Sequence, residues 1–133
     1  MTTQTDYGIV KHVALPYDKA VERVISLLKD EGFGVLTEID IKAKFLEKLG
    51  VDFRKYVILG ACNPPLAYRA LQSEPFVGLL LPCNVVVWEE REGECVVAAI
   101  DPDIMAQVVG DNPVMKAVAH DAKKRLQKAL KEM

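Results

Sequence analysis

The chain is poor in the residues that most often announce a chemistry. Its 133 residues include two histidines, three cysteines and one tryptophan. An odd number of cysteines, none in a paired spacing, argues against a disulfide framework and for a reducing cytoplasm. His12 and His120 stand on separate elements, and no CxxC or HxxxH spacing occurs; a closed zinc site is not expected. Charge of one sign is lacking too, since 17 basic and 19 acidic residues leave a net charge of -2. That excludes the clustered basic field that nucleic-acid phosphates require. Lys123, Lys124, Arg125, Lys128 and Lys131 fall at helical spacing and read as a solvated helix face. Long hydrophobic runs are missing as well. The longest, Phe76 to Trp88, is broken by Gly78, Pro82 and Asn84 and falls far short of the ~20 residues of a membrane span. Met1 to Tyr7 is polar and does not read as a signal peptide. No P-loop, GxGxxG or GxSxG motif is present.

What is present is an ordinary globular composition, 50% hydrophobic and 27% charged, at a length that fits a single domain over residues 1–133. Strand patterns occur at Tyr7–Leu15, Gly34–Ile39 and Tyr56–Gly60. Val85–Glu89 and Cys95–Ile100 flank the polar turn Glu90–Gly93 as a hairpin. Between them, Val21, Val24, Ile25 and Leu28 repeat at helical spacing after Asp18, the expected cap. Asp40 caps a second helix with Ile41, Phe45 and Leu49 as its inner side, and Gly50 ends it. Asn63-Pro64-Pro65 opens a third, with Pro65 the better first helical residue. Asp101-Pro102 and Asn112-Pro113 open two more, the last with Val114, Val118, Leu126 and Leu130 inward. Phe76–Leu81 is ambiguous between strand and extended packing segment. The expectation is an α/β (α+β-like) fold: a mixed sheet of four to five strands, a parallel β-α-β crossover, a C-terminal β-hairpin, and helices mainly on one face.

The chemistry concentrates in two Cys-Asn dipeptides, Cys62-Asn63 and Cys83-Asn84, each after an apolar run and beside proline. Cys62 precedes a helix, whose N-terminal N–H groups favour a thiolate. It reads either as a reactive catalytic thiol or as a small packed one. Cys83 lacks such a helix, and Cys95 reads as core. Asn63 has a capping role, whereas Asn84 interrupts an apolar run, where a buried amide needs partners. In a parallel crossover unit, Glu38 and Asp40 would share a sheet edge with Cys62 and Asn63, the edge where ligands of open α/β sheets bind. Glu38, Asp40, Asn63, Cys83 and Asn84 are therefore the candidate ligand-binding residues. No metal site is expected unless the two sulfurs converge on a thiophilic ion, and the residues leave the cofactor unknown.

The stretches GFGVLTEIDIKAKFLEKLGVDFRKYVILGACNPPLAYRAL, GLLLPCNVVV and AIDPDIM closely resemble the domain-of-unknown-function family 302. Glu38, Asp40, Gly60–Pro64, Pro82–Asn84 and Asp101-Pro102 all stand where that family's pattern puts them. The resemblance implies a compact α/β domain, a homodimer, and no established reaction. Three readings follow: a small-ligand-binding domain, a structural or regulatory interaction module, or a thiol-dependent enzyme or redox protein using Cys62.

Overall fold

The computed structural model describes residues 4–133. Met1–Thr3, on which part of the leader expectation rests, lie outside them. One five-stranded sheet runs through the molecule in the order β1-β5-β4-β3-β2. Its strands are β1 (Gly8–Val13), β2 (Gly34–Asp40), β3 (Tyr56–Cys62), β4 (Cys83–Arg91) and β5 (Glu94–Ile100). The helices are α1 (Tyr17–Asp30), α2 (Ile41–Leu49), α3 (Pro64–Ser73), α4 (Pro102–Val109) and α5 (Pro113–Lys131). The ambiguous segment is neither strand nor extended chain: Pro75–Leu80 forms a 3-10 helix.

The α/β architecture with its hairpin is as the sequence suggests, but the sheet is antiparallel throughout. β2 and β3 pair antiparallel, with Gly34 opposite Cys62 and Asp40 opposite Val57. The parallel crossover expected there is corrected by this register. A crossover helix must return along its strand, and the seven residues of β2 span about 23 Å. The nine residues of α2 reach only about 14 Å. α2 also buries none of its residues, so it stands at the end of β2 and β3 rather than on the sheet.

Alternation of side chains sets the two faces of the sheet apart. Val57, Leu59 and Ala61 of β3, Val85 and Val87 of β4, and Val97 and Ala99 of β5 turn into the core. α1 and α5 lie on this face, and α3 and α4 pack against α5. Leu28, Leu59 and Leu126 are wholly buried there, each contributing about 2 kcal/mol by burial. Val118, Leu126 and Leu130 form the inner stripe of α5, while Val114 is exposed. The opposite face carries Val10, Val86, Trp88, Val96 and Ala98 and no helix of the core.

Caps follow their local chemistry. The side chains of Asp40, Asn63, Asp101 and Asn112 accept from Ala43, Leu66, Asp103 and Met115 backbone N–H groups. α1 differs: it starts at Tyr17 behind Pro16 with no side-chain cap, and Asp18 sits inside its first turn. Asp18 there still favours the positive end of the helix dipole. α3 starts at Pro64, one residue before the expected Pro65.

Candidate functional site

At the end of β3 the chain turns into α3, and β4 begins alongside. Ala61 pairs with Cys83, so the two Cys-Asn dipeptides, distant in sequence, meet at one end of the sheet. There Cys62, Asn63 and Cys83 line a cavity of about 290 Å³. Its floor comes from Phe33, Leu66 and Ala70, and Met105 of α4 and Met115 of α5 supply the far wall. Leu36 stands at its edge because β2 bulges between Val35 and Thr37.

Among the described residues, Asn63 is the one buried polar residue. Its Oδ1 accepts from Leu66 N–H at 3.3 Å, and its amide packs on Gly32, whose φ of +85° only glycine adopts readily. The cap takes up this oxygen, and the side-chain NH2 carries the amide's remaining hydrogen-bonding capacity at the cavity. Cys83 is buried, and its thiol is pushed up to about 11, first by burial and then by the nearby Cys62. It is a neutral thiol at pH 7. Cys95 is core, as its apolar strand implied: its Sγ donates to the Leu15 carbonyl at 3.4 Å, and burial raises its pKa.

The other candidates do not join this site. Glu38 pairs with Leu59 and Asp40 with Val57, about 10 and 17 Å along the strand from Cys62. The antiparallel register takes them away from the Cys62 end. They act instead on Tyr17, whose hydroxyl is pushed up to about 12 by burial, then Asp40, Asp18, Cys95 and Glu38. Asn84 lies opposite Gly60 and is exposed, which removes its apparent desolvation cost. It faces a second hollow, of about 460 Å³, on the uncovered side of the sheet with Tyr56, Trp88 and Ile100. The methionines of the cavity wall escaped sequence reasoning because their helices reach the site only through tertiary packing. Among the described residues no group of three or more His, Cys, Asp or Glu side chains is placed to hold a metal ion.

The pattern of the family described as "Domain of unknown function DUF302" matches residues 9–133. The chain belongs to DUF302. A DUF302 crystal structure from Bacillus stearothermophilus, an uncharacterized conserved protein, superposes with a TM-score of 0.85 at 34% identity, covering 96% of this chain and 98% of that one. Fluoride-specific ion channel FluC 1 of Brucella suis biovar 1 is 31% identical over 90 residues, 67% of this chain and 35% of the channel. FluC 1 of Brucella abortus biovar 1 gives the same identity, with 33% of its length covered. This DUF302 chain thus spans about a third of the length of the curated relatives it matches. None of its described helices is long and apolar enough to cross a membrane.

Proposed function

We propose that this DUF302 domain binds a small, uncharged, apolar molecule in the cavity lined by Cys62, Asn63 and Cys83. The observation that carries this reading is the cavity's chemistry. Its walls are apolar side chains, two thiols and two thioethers, with no charged residue and one amide, Asn63, whose oxygen caps α3. A dry apolar cavity of ~150 Å³ accepts benzene; about 290 Å³ suits a molecule of one to two rings. Polarisable sulfur against aromatic edges adds attraction of about 0.3–1.5 kcal/mol per contact.

The uncharged two-ring fluorophore 6-propionyl-2-(dimethylamino)naphthalene tests this directly. Saturable one-to-one fluorescence enhancement is expected, weakened at least tenfold by Ala67→Phe with thermal stability kept. Absent saturation, or indifference to Ala67→Phe in a folded variant, overturns it. The thiol-enzyme reading draws less support, because Cys83, its resolving partner, is held as the thiol. Carboxymethylation of Cys62 at pH 7 much faster than that of free cysteine would favour that reading instead.

A further inference from the structure

We infer, resting on the ligand reading above, that the molecule held in this cavity carries a hydrogen-bond-accepting carbonyl and no donor, and that the Asn63 amide nitrogen recognises it. The ligand class narrows to apolar ketones and esters. Asn63 lines the cavity, is only 7% exposed, and has its Oδ1 committed to the Leu66 N–H. No hydrogen bond leads from its Nδ2 to another described residue. Among those residues no side-chain nitrogen or oxygen is both sealed off and without a partner. Nδ2 therefore keeps an open side, and the open space against Asn63 is the cavity. Buried N–H groups that have given up water need an acceptor. Bonded at Oδ1 and packed on Gly32, the side chain is held in one orientation, so this donor is in place before a ligand arrives.

The surroundings decide which acceptor fits. A helix N-terminus ordinarily offers free N–H groups to an anion, but the first turn of α3 offers none. Pro64 and Pro65 carry no N–H, Leu66 N–H goes to Asn63 Oδ1, and Ala67 N–H goes to the Asn63 carbonyl. No lysine, arginine or histidine lines the cavity. A carboxylate or phosphate would meet one neutral donor and no counter-charge, and its desolvation would go uncompensated. Alcohols and amines fail for the opposite reason. Each brings a donor, and besides the capped amide the lining side chains offer only the sulfurs of Cys62, Cys83, Met105 and Met115, which accept weakly. Burial keeps Cys83 a neutral thiol, so it supplies no thiolate acceptor. A ketone or ester oxygen accepts from Nδ2 and leaves the rest of the molecule to the apolar wall.

Three single-ring probes of similar shape test this: acetophenone, its alcohol 1-phenylethanol, and α-methylstyrene, in which CH2 replaces the ketone oxygen. NMR titration reads each affinity from the methyl signals of Ala67, Met105 and Met115. Acetophenone should bind at least about fivefold more tightly than 1-phenylethanol, which partitions from water much as the ketone does. It should also move the Asn63 side-chain NH2 proton signals downfield, and α-methylstyrene should not. Asn63→Asp keeps a capping oxygen and replaces the donor with an acceptor. It should lower the ratio of ketone to hydrocarbon affinity at least about tenfold, whereas a purely capping role would leave that ratio unchanged. The assignment is overturned by an unchanged ratio in the folded variant, by unmoved NH2 signals, or by an alcohol that binds as well as the ketone. Saturation by α-methylstyrene in those cases leaves the cavity reading standing; if no probe saturates, both fall. Should Asn63→Asp not fold, the NH2 signals and the alcohol comparison in the wild type decide.

Discussion

Cys83 shows how one side chain ties the site to stability. Its folded pKa, pushed up to about 11 from 9.0, exceeds that of the unfolded chain. The stability it contributes is complete below about pH 9 and is lost as pH rises toward 11, because the unfolded state ionises first. A two-unit shift corresponds to about 2–3 kcal/mol. Thermal melts of wild type and Cys83→Ala between pH 8 and 11 should therefore converge as pH rises; parallel curves would refute the assignment. Tyr17 also loses stabilisation in that window but is present in both proteins and cancels. At the same scale, the four capping residues were legible because a cap is a local event, readable from Asp or Asn before a helical run. Asn84 was not. Its strand is apolar on both faces, which hides the alternation that would have put Asn84 outward with Val86 and Trp88.

Among the elements, α2 is the one whose stability rests on its ends. With no buried residue, it is held by Asp40 accepting from Ala43 N–H at 2.9 Å and by Gly50 in the left-handed conformation, where Gly50 and Val51 N–H donate to Leu46 and Phe45 carbonyls. Asp40→Ala should cost about 1 kcal/mol. That is about a fivefold loss of amide protection confined to α2, with little change in the global melt; hydrogen exchange read by NMR distinguishes the two. The same helix explains the main error of sequence reasoning. Strand direction leaves no local trace: Gly34–Asp40 and Tyr56–Cys62 carry the same apolar pattern whether they pair parallel or antiparallel. Only the length and exposure of the segment between them decide. Glu38 was misplaced for that reason, whereas Cys62, Asn63 and Cys83 meet through the β3–β4 pairing, a long-range contact that the sequence left open.

For the whole molecule, the two faces of the sheet divide the work. One holds the core and, at its end, the cavity; the other carries Val10, Val86, Trp88, Val96 and Ala98 and no helix of the core. If association contributes to folding, the melting temperature must depend on concentration. Raising the chain from about 2 to 200 µM should then lift it by several degrees, and Leu46→Glu with Leu49→Glu, at exposed apolar positions of α2, should reduce the rise. A concentration-independent wild-type melt would place all of the stability within the single chain. Family membership and architecture are thus settled by residues spread along the chain, whereas the cavity and the uncovered face are surfaces that only the folded sheet assembles.

The single indole of the protein belongs to the uncovered side. Trp88 lies over Tyr56 with the rings 3° from parallel, and its Nε1 donates to Glu90. Its emission is therefore a built-in gauge of that surface rather than of the packed interior. Denaturation curves followed by this fluorophore alone would report the uncovered face directly and the core only through cooperative unfolding.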